Sequence, residues 1–152
     1  MMSPAGFEHG RVVSRINARL ALFVEAHALG AVTGAETGFL LRRRPDTVRA
    51  PDVGFVAAAR LPPRGWSRFF PGAPDAAVEV LSPGDRLREV RAKVVDWLAA
   101  GCGLVWVVDP HKPTVTVHRP GRSPRTLVGG DFLTGEDVIA GFRLPVAEIF
   151  GD

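Results

Sequence analysis

The chain has 152 residues, 46% of them apolar, and a formal net charge of +3. This length and apolar content predict one folded domain over residues 1–152 and argue against disorder. No apolar run reaches the roughly 18 residues of a membrane span, and the N-terminus lacks the regions of a secretory signal, so we expect a cytoplasmic protein. The single cysteine excludes an internal disulfide and zinc held by several thiolates; we expect Cys102 to be a small buried residue.

The N-terminal half predicts a helix and then strands. Apolar residues recur at helical spacing from Phe7 to Leu29, and Gly30 follows as a stop signal. Short β-like patterns from Ala31 to Arg44 and from Asp52 to Ala58 predict two antiparallel strands. Residues 61–74, which we call the aromatic loop, hold four prolines and two glycines around three aromatic residues. This composition predicts irregular structure.

The C-terminal half predicts a strand, a helix and a further strand. Residues 75–81 form an apolar strand pattern, and the turn at Ser82–Asp85 offers an N-cap for the helix that follows. That helix ends near Gly101, and the apolar run 104–110 is typical of a central strand. Strand, helix and strand in this order predict a parallel crossover. The expected fold is therefore α/β, with an N-terminal helix, a mixed central sheet of three antiparallel strands, a helix and a parallel strand, and C-terminal β hairpins.

Two acids, Asp52 and Glu79, fall on strands that this order makes neighbours, about 4.8 Å apart in the sheet. Two carboxylates so placed can share one divalent ion, since magnesium prefers oxygen ligands. Asp75 competes for the role but lies roughly 13 Å along the strand from Glu79. Duty as caps, turn residues or salt-bridge partners is an equally open interpretation of these acids.

Lys93 is one of only two lysines beside seventeen arginines. It lies eight residues beyond Asp85, so about 12 Å of helix returns it toward the level of Glu79. At the edge of the apolar stripe its ammonium can reach the sheet carboxylates while its stem is buried. The competing interpretation is a surface lysine paired with Glu89.

The four histidines lack metal-ligand spacing, and no glycine-rich phosphate loop is present. We therefore interpret each histidine as a surface or core-edge residue. They are His9, His27, His111 and His118.

Three stretches carry a family resemblance: GAETGFLLRRRPDTVRAPDVGFV, PDAAVEVLSPGDRLREVRAKVVDWLAAG and LVWVVDPHKPTVTVHRPG. They resemble the Uma-two family, a bacterial group within the PD-(D/E)XK nuclease superfamily, over nearly the whole chain. Its motifs here are Pro51-Asp52, the strand end from Glu79 to Pro83, and Lys93 in the following helix.

The resemblance implies a restriction-endonuclease-like core and a magnesium-dependent endonuclease that hydrolyses DNA, with manganese as a possible substitute ion. It implies Asp52 and Glu79 as metal ligands and, together with Lys93, as catalytic residues. The superfamily often adds an acid from the first helix, for which Glu8 is the candidate and Glu36 a competitor.

The superfamily pattern departs from this chain at one position. Where the superfamily places a lysine two residues after the second acid, the chain has Leu81. Lys93 would then supply the amine from the helix. A nuclease-fold module that binds nucleic acid or a protein partner without turnover stays open as an alternative, and metal binding discriminates between the two.

Arginine clusters and the aromatic loop bear on partners. Contiguous arginines at 42–44, and others at positions 60, 64 and 68, either contact phosphate or are simply solvated. The aromatic loop suits a homodimer interface or stacking on unpaired bases, or it packs on its own domain. We expect DNA as the partner and a homodimer as the assembly.

Overall fold

The computed structural model describes residues 4–151. Helices and strands within that range are, in chain order, α1 (Phe7–Ala26), β1 (Gly30–Thr33), β2 (Phe39–Arg42), β3 (Thr47–Arg49), β4 (Val53–Ala57), a short 3-10 turn (Ala58–Arg60), β5 (Phe70–Pro71), β6 (Ala76–Val80), α2 (Leu87–Ala99), β7 (Leu104–Asp109), β8 (Thr114–His118), β9 (Arg125–Leu127), β10 (Phe132–Thr134), β11 (Arg143–Pro145) and α3 (Val146–Phe150).

A six-stranded sheet runs in the order β1-β4-β6-β7-β8-β9. The pair β6 and β7, joined through α2, is parallel, and the other neighbours are antiparallel. Three antiparallel strands, a helix and a parallel strand therefore follow one another as predicted, and the mixed α/β fold is confirmed. Strands β10 and β11 form a separate hairpin near α3.

The two long helices cover opposite faces of this sheet. Side chains of α1 three or four residues apart are fully buried because that spacing places them on one face, and they pack against Val78 and Val80 of β6. Helix α2 packs on the other face, toward which β6 turns Ala77 and, by strand alternation, Glu79. The buried helix residues are Val12, Ile16, Leu20 and Val24 in α1, and Val90, Val94 and Trp97 in α2.

The predicted single strand over residues 31–44 is wrong, because the chain leaves the central sheet midway. Glu36, with φ 68°, reverses the backbone between β1 and β2, and β2 then joins β3 and β5 in a three-stranded sheet. Phe39 of β2 stacks edge-on to Trp97 of α2 at 6.2 Å. A Cβ at Gly54 would lie 3.2 Å from the Phe39 ring, so glycine permits this approach.

Helix boundaries also differ from the predicted ones. Helix α1 ends at Ala26, since Ala28 adopts φ 53°, and Gly30 begins β1 instead of merely stopping the helix. Asp85 accepts a hydrogen bond from the Ser82 N–H at 2.8 Å and so closes the turn rather than capping α2. Cys102 is buried as predicted, and burial raises the pKa of its thiol to about 12.

Among residues 4–151, none of the helices has the length and apolarity needed to cross a membrane.

Candidate active site

Asp52 stands at the start of β4, beside the end of β6. Its N–H donates to the Val78 carbonyl at 3.0 Å, and its Oδ2 accepts from the Val80 N–H at 2.7 Å. These two bonds lie on either side of Glu79 in the neighbouring strand. The structure thus brings together the two acids that the strand order places side by side.

Glu79 is only 8% exposed and is the one buried charged residue in the described part of the chain. Its Oε2 accepts a hydrogen bond from the Trp97 indole N–H at 2.9 Å. Burial raises the pKa of Glu79 to about 7, and the Asp52 charge adds to this rise, while the Trp97 bond and the Lys93 charge oppose it. The contacts that stabilise the ionised form of Glu79 therefore do not offset the cost of burying its charge.

Lys93 lies one helical turn before Trp97 in α2, and its side chain is exposed. Its positive charge lowers the pKa of Glu79, so the ammonium lies within electrostatic reach of that acid. Pairing with Glu89 is absent: within residues 4–151 Lys93 makes no ion pair. Its amine is free to approach a bound anion.

Arg49 is a second cation near Glu79 that the sequence did not indicate. It lowers the pKa of Glu79 and is held by Asp96 of α2 through bonds of 2.8 and 2.5 Å to one carboxylate oxygen. Because arginine is the common basic residue of this chain, its position in β3 carried no distinguishing signal.

Glu8, the candidate acid from the first helix, is engaged elsewhere. Arg11 donates to its carboxylate at 2.7 Å, and this bond holds the pKa of Glu8 below its usual range. Glu36, the competitor, lies exposed in the turn after β1. No three acids, histidines or cysteines of residues 4–151 form a group that could hold a metal ion. The structure joins Asp52 and Glu79 but brings neither candidate acid to them.

His9, the next residue in α1, contacts the site instead. Its Nε2 lies 3.5 Å from Asp52 Oδ2, and its buried Nδ1 has no hydrogen-bond partner in the described residues. Both residues line a cleft of about 460 Å³ between α1 and the turn at Ala35. The sequence pattern predicts His9 as a surface or core-edge residue and does not predict this contact. The available signal was its position next to Glu8, the candidate acid in the first turn of α1.

Asp75 serves the opposite end of β6. Its Oδ1 pairs with Arg60 at 3.0 Å, and its Oδ2 accepts from the Ala57 N–H at 2.7 Å. Both oxygens are used locally. Asp75 therefore ties β6 to the 3-10 turn and lies apart from the acid pair.

The donor set at the acid pair fits a hard divalent cation. The second oxygens, Asp52 Oδ1 and Glu79 Oε1, accept no hydrogen bond from residues 4–151. Magnesium typically binds through one or two carboxylates together with water and substrate phosphate. Two free carboxylate oxygens, one of them on a buried acid, match such a partial protein site.

Comparison with known proteins gives two findings. A family model described as Uma2, "Putative restriction endonuclease", matches residues 1–147. A crystal structure of "a putative nuclease belonging to DUF820" from Anabaena variabilis ATCC 29413 superposes with a TM-score of 0.87 and 21% identity, covering 98% of this chain and 83% of that one. At this identity the likeness shows a shared fold. A search of curated proteins gave no match.

Proposed function

The chain belongs to the Uma2 family, and we propose that it is a nuclease that hydrolyses phosphodiester bonds in DNA with magnesium or manganese at Asp52 and Glu79. The observation that carries the proposal is the buried Glu79 carboxylate, fixed by Trp97 next to Asp52. Burying a charge is costly unless it is paired or coordinates a metal. A divalent ion held by both carboxylates would compensate the buried charge.

When bound, the ion lowers the pKa of a water and offsets negative charge on the scissile phosphate. Asp52 and Glu79 would hold such an ion through Oδ1 and Oε1, the oxygens that accept no hydrogen bond from residues 4–151. The Trp97 hydrogen bond keeps Glu79 in one orientation. The hydrogen bonds of Asp52 with the backbone of Val78 and Val80 do the same for the other acid. The protein thereby positions its ligands before the substrate arrives.

Lys93 takes the role that the superfamily gives to a strand lysine. Leu81, at that strand position, packs against the core on the α2 side and offers no charge. The Lys93 ammonium, free of carboxylate partners, can stabilise charge that develops on the phosphate oxygens. Glu8 serves as a third ligand only if its bond to Arg11 opens.

Metal titration calorimetry tests the proposal, with cleavage of mixed plasmid and oligonucleotide substrates as the second readout. We expect Asp52→Asn and Glu79→Gln each to abolish measurable metal binding and cleavage. Asp75→Asn is the matched control, since it also removes a strand-end carboxylate, and it should retain both. Glu8→Gln separates a two-acid site from a three-acid site, because only the latter loses affinity.

Metal binding without hydrolysis of any substrate would favour the competing function, a nuclease-fold module that binds without turnover. Absence of metal binding by the unmutated protein would refute the assignment. The homodimer stays a prediction, and sedimentation velocity measures it.

A further inference from the structure

The aromatic loop exposes two large rings, and the side chain of one is hydrogen-bonded to the backbone of the other residue. Trp66 is 39% exposed and Phe69 is 57% exposed. The Trp66 indole N–H donates to the Phe69 carbonyl at 3.1 Å, and the Arg68 guanidinium lies over the Trp66 ring at 5.1 Å from its centroid. Two rings and one planar cation thus form a single exposed group, held in place by a hydrogen bond.

This exposed group rests on the small sheet of β2, β3 and β5. A Cβ at Gly38 would lie 2.6 Å from the Phe69 ring and 3.2 Å from Val48, so the glycine admits the ring against the sheet. The adjoining Phe39 packs on Trp97, which binds Glu79. The aromatic loop is therefore connected by direct contacts to the α2 side of the molecule, where Glu79 lies.

Positive charge exceeds negative charge in the β2–β3 turn and the aromatic loop, where Asp46 is the one acid. Five arginines of the β2–β3 turn and the aromatic loop are exposed, and none forms an ion pair within residues 4–151. Two neighbouring arginines are paired: Arg60, just before the loop, binds Asp75, and Arg49 of β3 binds Asp96. The five are Arg42, Arg43, Arg44, Arg64 and Arg68.

We propose that the aromatic loop binds an unpaired stretch of nucleic acid, with Trp66 and Phe69 stacking on bases and the neighbouring arginines contacting the backbone. Proteins bind single strands through exposed aromatic rings beside unpaired cations, because every base has a face for stacking and every phosphodiester linkage carries a negative charge. In a duplex the bases are stacked on each other, so the rings find no partner. The inference deepens the proposed nuclease function, on which it rests for the class of ligand.

A second copy of the chain is the competing occupant of this surface. A two-fold interface apposes the same patch from each subunit. Here it would bring the unpaired arginines of one protomer against those of the other, with only Asp46 of each β2–β3 turn to offset them. Charge complementarity favours an anionic partner over self-association.

The test measures binding of a labelled oligothymidine and of a duplex by fluorescence anisotropy, in EDTA so that hydrolysis plays no part. We expect Trp66→Ala/Phe69→Ala to weaken single-strand binding on the order of tenfold or more and to change duplex binding by less than about twofold. Phe132→Ala is the matched control, since that ring is 43% exposed with Arg143 over it at 3.7 Å. It should change neither affinity.

Tryptophan emission gives an independent readout, because Trp97 and Trp106 are both 0% exposed. Quenching by oligothymidine should therefore come from Trp66 and disappear in Trp66→Phe. In a second variant, Arg64→Gln/Arg68→Gln should weaken single-strand binding more than Arg122→Gln/Arg125→Gln, which removes the same charge elsewhere.

Three results would overturn the inference: equal losses on single strands and duplex, quenching that persists in Trp66→Phe, or a wild-type dimer that Trp66→Ala/Phe69→Ala converts to monomer. If the unmutated protein cleaves no substrate but oligothymidine still quenches Trp66, the result counts against the proposed nuclease function and not against the aromatic loop. If the unmutated protein cleaves DNA and Trp66→Ala/Phe69→Ala binds single strands as tightly as the unmutated protein does, the result counts against the aromatic loop as a binding site and not against the nuclease function.

Discussion

The two faces of the central sheet are built differently. The α1 face is an all-apolar core that reaches from the first helix to α3. The α2 face has a smaller core and encloses the charged Glu79 among its aromatic and aliphatic side chains. Burying a carboxylate lowers stability unless it is paired or coordinates a metal, so Glu79 costs the α2 face stability, whereas α1 reaches the site through His9, which contacts Asp52.

The arginines of the two sides also differ in their pairing, apart from Arg49, which pairs with an acid of α2. On the α1 side, Arg11 and Arg15 donate to backbone carbonyls at the C-terminal end, and Arg19 pairs with Glu148 at 2.9 Å. On the α2 side, the arginines of the β2–β3 turn have no acidic partner in the described residues. Paired arginines fasten the chain to itself, whereas unpaired ones stay available to an anion.

Ile16→Ala, in the centre of the α1 face, should produce the largest loss of stability. Ile16 is fully buried, and truncating a buried isoleucine to alanine costs about 2–5 kcal/mol. Urea unfolding measures the change, and Val95→Ala, at an exposed position of α2, is the control. If the α1 face is only a scaffold, the metal affinity of Ile16→Ala measured below its melting point should equal that of the unmutated protein.

Titration of Glu79 should make the α2 face sensitive to pH. Its pKa is raised from the usual 4.5 to about 7, so the folded state keeps a proton that the unfolded chain releases. Stability of the metal-free protein should therefore fall as the pH rises from about 4.5 to about 7 and stay lower above it. The loss attributable to Glu79 is at most about 3.5 kcal/mol, since one pKa unit corresponds to about 1.4 kcal/mol.

Glu79→Gln isolates this effect, because glutamine keeps an acceptor for Trp97 but cannot ionise. The variant should match the unmutated protein near pH 5 and exceed its stability near pH 8. Magnesium should then raise the melting temperature of the unmutated protein at the higher pH and leave the variant unchanged. Identical pH profiles for both proteins would mean that Glu79 is better compensated than its burial indicates.

Lys93→Ala tests whether the chemistry of the α2 face includes the helix amine. We expect intact folding and metal binding with cleavage reduced on the order of a hundredfold, the scale of losing one positioned electrostatic group. Lys93→Arg should not restore the rate, because guanidinium is planar and larger. Single-turnover kinetics measure the effect, and Lys112→Ala, which removes the other lysine at an exposed turn, should be silent.

Sequence reasoning reached the elements that depend on local pattern. The predicted order of strands placed Asp52 beside Glu79, and the rise of the helix predicted Lys93 near the same level. It could not find contacts that depend on how layers pack, such as Trp97 on Glu79 or His9 on Asp52.

Local competition explains two further misses. Glu8 is taken by Arg11 three residues on, a pairing that helical spacing allows but does not require. Glu36 adopts a positive φ that few non-glycine residues take, and this sends β2 out of the central sheet. Neither outcome can be predicted from the residue type alone, because each depends on the contacts that the neighbouring residues make in the folded chain.

The smallest expected effect concerns the three arginines of the β2–β3 turn, and it sharpens the contrast between paired and unpaired arginines. If Arg42, Arg43 and Arg44 contact phosphates, replacing all three by glutamine should flatten the log–log dependence of DNA affinity on salt. Each lost contact reduces the slope by about 0.7 on a single strand or about 0.9 on a duplex, because fewer counterions are released. Anisotropy titrations over a series of salt concentrations give the slopes, and Arg122→Gln/Arg125→Gln supplies the comparison for charge lost at the far edge of the sheet. A slope equal to that of the unmutated protein would mean that the three arginines are solvated and that other residues, those of the aromatic loop among them, make the phosphate contacts. Equal changes in slope in both sets of variants would mean that DNA affinity depends on net charge and not on the position of the arginines.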